Sequence, residues 1–117
     1  MNADKPQKSI LPAGAEEAVK KMIEVVLAVK ELAEKEAEVL NSQDSAAMKR
    51  LIAEKDALSK IYEKAGQEFH ERGNEFRSVA RALLLELKAE QEHVQDLTRQ
   101  NTAYYEAARA KKSGKKQ

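Results

Sequence analysis

The chain has 117 residues, 42% hydrophobic, 35% charged and 4% aromatic, with no cysteine or tryptophan and a formal net charge of +1. That is the length of one domain, no disulfide or thiolate metal site is open to it, and so few aromatics cannot line a large apolar cavity. No apolar run approaches the roughly 20 residues that cross a bilayer; the nearest is Ala82-Leu83-Leu84-Leu85, and the opening Met-Asn-Ala-Asp-Lys-Pro-Gln-Lys lacks an apolar signal core, so a cytoplasmic address is expected.

Residues 1–14 hold both prolines, Pro6 and Pro12, one glycine and otherwise mostly polar side chains, and are read as a disordered segment. A single helical domain is expected over 15–110, followed by a basic disordered tail over 111–117. The first helix opens near Ala15, with Glu16 and Glu17 in its first turn, where carboxylates favour exposed amides. Its apolar positions are Val19, Met22 or Ile23, Val26, Val29, Ala33, Ala37 and Leu40. Steps of three and four put these on one face. It ends at Asn41-Ser42-Gln43-Asp44, whose side chains compete for backbone hydrogen bonds, and Ser42 or Asp44 is suited to cap the next helix.

The second helix is expected from about Ser45 to Arg72, on a stripe of Leu51, Leu58, Tyr62, Ala65 and Phe69. Two helices of similar length around a four-residue turn make an antiparallel hairpin. A break is placed at Arg72-Gly73-Asn74, where Gly-Asn suits the left-handed conformation that closes a helix. The three-four spacing continues through Phe69, Arg72 and Phe76, so a kink or one unbroken helix is the alternative.

A third helix is read from Glu75 to about Lys111, with Phe76, Ala80, Leu83, Leu87, Val94, Leu97, Tyr104 and Ala108 on its stripe. The fold class is therefore all-α: an antiparallel hairpin plus a long third helix, as a three-helix bundle or coiled coil. At roughly 54 Å the third helix would overhang a hairpin of roughly 39 Å. Val94, Leu97, Tyr104 and Tyr105 would then need a partner to cover them.

Charge is unevenly placed. Residues 15–108 carry 14 Lys and Arg against 19 Asp and Glu, while 109–117 adds five cations and no anion. An acidic body is a poor match to a nucleic-acid reader, which needs a positive face. Arg109, Lys111, Lys112, Lys115 and Lys116 are read as a solvated end, with weak polyanion or membrane-surface binding as the lesser alternative.

Chemistry is thinly supported. Glu90-Gln91-Glu92-His93 is one Glu-x-x-His unit, where helical di-iron sites use two; no metal or other cofactor is expected. No nucleophile has a base beside it in sequence and no Gly-rich loop follows a strand, so the chain is read as a non-enzyme. More telling are polar residues on the stripe: Glu36, Lys55, Arg72, Glu90 and Asn101. Long charged side chains can snorkel from the edge of a seam. Asn101 has no such stem, and fixes register in a helical seam, presents its amide to a partner or is simply exposed. Tyr104 and Tyr105 cannot both face inward, so one should be exposed and suited to anchor a partner.

Leu32-Ala33-Glu34-Lys35-Glu36-Ala37-Glu38-Val39-Leu40, the polar turn with Asp44, then Leu51, Lys55 and Leu58 as Leu-x-x-x-Lys-x-x-Leu form one pattern. With Asn101-Thr102-Ala103-Tyr104-Tyr105-Glu106-Ala107-Ala108, this resembles the FlgN-like flagellar export chaperones over about residues 18–108. The resemblance implies a cytoplasmic helical chaperone that binds C-terminal helices of hook-filament junction proteins and delivers them to the type III export gate. Within it, Tyr104 or Tyr105 matches a tyrosine that helps dock on the gate. Two features depart from the family: a shorter chain than many members and the lysine-rich end. The partner-binding residues expected are Leu87, Val94, Leu97, Asn101, Tyr104 and Tyr105. The alternative is a coiled-coil structural or adaptor protein that self-associates along the same stripe, with no flagellar role.

Overall fold

The computed structural model describes residues 9–114, with side chains through residue 110. Three long helices, α1 (Ala15–Ser42), α2 (Ser45–Glu71) and α3 (Arg81–Gly114), are joined by a tight turn and by a short 3-10 helix over Gly73–Ser78. No strand occurs among the described residues. The fold is the expected all-α bundle.

α1 is the central element. It packs against both α2 and α3, which stand on either side of it and barely approach each other. Flanked on two sides, α1 buries more than one stripe: Val19, Met22 and Val26, and also Ile23 and Val25. The choice between Met22 and Ile23 posed by a single stripe is thus resolved in favour of both. The result is a flat body, 58 by 41 by 21 Å.

The first turn forms as its residues predict. Gln43 takes a left-handed conformation (φ 60) and donates its N–H to Val39 O, closing α1. Asp44 then caps α2 by accepting from Ala47 N–H at 3.1 Å. Gln43 is the one non-glycine residue at positive φ among the described residues, and no described glycine has it. The left-handed closure expected at Gly73-Asn74 therefore does not occur. α2 ends instead through Arg72 at φ −98 and ψ 15, and the 3-10 turn follows directly.

That turn also corrects the start of the third helix, which begins at Arg81 rather than Glu75. Phe76 and Val79 are buried and plug the end of the bundle. Phe76 stacks on Phe69 at 4.4 Å between ring centroids, and the Arg72 guanidinium lies over the Phe76 ring. The continued spacing of Phe69, Arg72 and Phe76 thus reports a stacked turn, not an unbroken helix.

Residues 9–14 differ from the expected disordered segment; residues 1–8 lie outside the described residues. Leu11 is 3% exposed and belongs to the core. The N–H groups of Ile10 and Leu11 donate to the two oxygens of Glu68 at 3.0 and 2.9 Å. Arg72 donates to the carbonyls of Pro12 and Ala13, each at 2.8 Å. Two charged side chains from α2 and its end satisfy four backbone groups of this bent strap. Sequence periodicity carries no signal for such contacts.

α3 runs parallel to α1, and its Tyr104 hydroxyl bonds Asn41 Oδ1 near the end of α1. Ala107 and Ala108 still line a hollow with Gln43 at the end of α1, so about 9 Å of helix, residues 109–114, extends past the hairpin. The expected overhang is therefore shorter and sits later, because the 3-10 turn consumes the first residues of the third segment. α3 itself continues through Gly114, so 111–114 is helical where a disordered tail was expected; residues 115–117 lie outside the described residues.

Candidate functional site

The splay of α2 and α3 leaves a groove of about 310 Å³ with α1 as its floor. Val29 and Ala33 lie on the floor, Leu51, Leu58 and Tyr62 form the α2 wall, and Val94, Thr98 and Thr102 form the α3 wall. Helical spacing explains each wall: Leu51, Leu58 and Tyr62, like Val94, Thr98 and Thr102, recur at one or two turns on one face, with Leu51 and Val94 buried and Thr98 and Thr102 exposed. The volume sits at the small end of the roughly 300–1,000 Å³ typical of ligand sites.

A polar knot ties the three helices together inside this groove. Glu36 of α1 is only 4% exposed. Its Oε2 accepts from Lys55 Nζ of α2 at 3.0 Å and from the Tyr105 hydroxyl of α3 at 2.6 Å. Its Oε1 accepts from Asn101 Nδ2 at 3.2 Å, and the same amide donates to Ala33 O at 3.0 Å. Three donors from two helices replace the water that a carboxylate would otherwise keep. Glu36 does not snorkel outward, as its length would have allowed. Among the described residues no buried side-chain nitrogen or oxygen lacks a partner.

Tyr105 shows the electrostatic cost of this arrangement. Burial, followed by the hydrogen bond to the Glu36 carboxylate and its negative charge, pushes the hydroxyl pKa up to about 12. The proton is thereby held on the tyrosine as a donor.

The residues expected to bind a partner are divided by the fold. Val94, Asn101 and Tyr105 line the groove. Leu87 is buried in the core, Leu97 is half-buried, and Tyr104 is 43% exposed. Val94, Tyr104 and Tyr105 do not lie beyond the chain's own partners, as an overhanging helix would have placed them. Of the two tyrosines, Tyr105 turns inward and Tyr104 outward. The whole α2 wall and the α1 floor were absent from the sequence-based site. The available signal was the set of polar residues on the stripe, since Glu36, Lys55 and Asn101 converge here.

The remaining stripe polars are also paired. Lys30 meets Glu90 at 3.0 Å across the α1–α3 contact, and His93 is exposed. No group of His, Cys, Asp and Glu among the described residues is arranged to hold a metal. No described helix is long and apolar enough to cross a membrane. No family model, curated protein or solved structure matches this chain.

Proposed function

We propose that the chain is a cytoplasmic binding protein, not an enzyme, that takes an amphipathic client helix into the groove between α2 and α3. The observation that carries this reading is the groove itself, an apolar trough open along one side of a three-helix layer. A fourth helix laid there would complete a bundle, burying one apolar stripe in the manner of helix-in-groove recognition. Together with the likeness of residues 32–58 and 101–108 to FlgN-like chaperones, the reading is an export chaperone. Its clients would be C-terminal helices of hook-filament junction proteins, held unpolymerised and passed to the type III export gate. Outward-facing Tyr104 is then the tyrosine available for docking on the gate.

The test is a pull-down of flagellar junction proteins with the full-length chain, beside a charge-matched helical control. Enrichment over the control, lost when Thr98→Arg on the exposed α3 wall obstructs the groove, is the expected result. No enrichment removes the flagellar reading. The rod form of a self-associating coiled coil is not compatible with a chain that turns back between α2 and α3 and measures 58 Å in its longest extent. A concentration-dependent doubling of molar mass in light scattering would instead identify a second copy as the groove's occupant.

A further inference from the structure

The groove presents one open charge. The Glu36 carboxylate at its floor is buried and already accepts from three donors. Lys55 differs: its side chain is 51% exposed, and one of its three ammonium protons serves Glu36 Oε2. Leu51 and Leu58 lie one turn to either side of it on the same wall, and the opposite wall offers the neutral hydroxyl residues Thr98 and Thr102.

The walls also select the occupant's backbone. All three are α-helices, whose backbone groups are consumed internally over the lengths that line the groove. An extended peptide laid there would bury N–H and C=O groups with no free strand edge to pair them. A helix arrives with those groups already satisfied. The walls, residues 51–62 and 94–105, match about three turns of such a helix.

We infer that the groove's partner is an amphipathic helix with a carboxylate set inside its apolar stripe, one turn from its aliphatic anchors, and that Lys55 reads this carboxylate. The inference rests on the helix-binding reading above and adds the chemistry of the partner. In a half-enclosed trough the pair is less screened by water than at an open surface. A lysine at the same partner position would set two ammonium groups together. Glu36 would offset that contact only in part, because it is 4% exposed and already faces Lys55, Asn101 and Tyr105. Discrimination therefore comes from repulsion as well as attraction.

The test is calorimetric titration of the full chain with three helical peptides of about 15 residues, long enough for the three turns of the groove. They share leucines one turn to either side of a central residue, which is Glu, Gln or Lys. The Glu peptide should bind about tenfold more tightly than the Gln peptide, and the Lys peptide most weakly. Lys55→Gln should erase the preference for Glu over Gln while leaving binding of the Gln peptide in place. Circular dichroism establishes that this variant is folded; should it not be, the ranking on the unmodified chain decides. Equal binding of the Glu and Lys peptides overturns the carboxylate preference and leaves helix binding standing. No binding by any of the three overturns both.

Discussion

Asn101 on α3 donates to the main-chain carbonyl of Ala33 inside α1, in a buried contact of 3.0 Å. A helical carbonyl keeps a second lone pair after its intrahelical bond, and Asn101 uses it. Its amide reaches Glu36 as well, so sliding α3 by one turn would strand a buried donor. A short polar side chain in an apolar seam thereby favours one register. Asn101→Ala should lower the unfolding free energy by about 1–3 kcal/mol in denaturant titrations. Asn101→Leu should not restore it, since Glu36 still loses a donor.

Tyr105 and Glu36 should be energetically coupled. Tyr105→Phe removes one charge-assisted hydrogen bond at a cost of about 1–2 kcal/mol. In a double-mutant cycle with Glu36→Gln, the two losses should fall short of adding. The pH response has a definite sign. The folded hydroxyl is held neutral to about 12, whereas an unperturbed tyrosine ionises near 10.0. Stability from this site is therefore present below the unfolded value and lost as pH rises through that window. Ultraviolet titration should show one tyrosine ionising late, and Glu36→Gln should bring it earlier.

The strap of residues 9–14 should loosen in acid. Burial alone would raise the Glu68 pKa, but the N–H groups of Leu11 and Ile10, with Lys64 and Arg72 nearby, hold it below the usual carboxylate value of 4.5. Its contribution is present above that value and lost as pH falls through the depressed one. Amide exchange at Ile10 and Leu11, corrected for intrinsic rates, should therefore lose protection in acid, and Glu68→Gln should show weakened protection already at neutral pH. Leu11→Ala should cost about 2–4 kcal/mol, the range for emptying a buried leucine site.

At two backbone positions opposite substitutions should both stabilise the fold. A Cβ placed on Gly66 meets nothing within 4 Å, in the interior of α2. Gly66→Ala should add about 0.5–1 kcal/mol by restricting the unfolded chain and improving helix propensity. Gln43 holds φ 60 at the end of α1, where a side chain is strained. Gln43→Gly should stabilise by up to about 1 kcal/mol. Thermal melts of the single and double variants should give additive shifts, because the sites share no partner.

Much of the fold was legible because helices are local. The spacing of Val19, Val26 and Ala33 fixes a helix over any tertiary background, and Asp44 caps α2 through a bond spanning three residues. The 3-10 turn was only half legible. Gly73 and Asn74 weaken the helix there, but the stacking of half-buried Phe69 on buried Phe76 that shapes the turn depends on the two rings meeting at one end of the bundle.

The sequence by itself determined the class, the helices and the first turn, since these follow from propensity, periodicity and capping within a few residues. It also marked Glu36, Lys55 and Asn101 as polar residues out of place on an apolar stripe. Only the tertiary structure decided that they meet, for Asn101 lies 65 residues from Glu36 in the chain. The same holds for the strap, where Glu68 reaches back 57 residues to Leu11. It holds also for the groove, which exists because α1 takes the centre and keeps α2 and α3 apart. Periodicity says which face of a helix is apolar; it does not say which of two neighbours will cover it, or that part of that face will be left open.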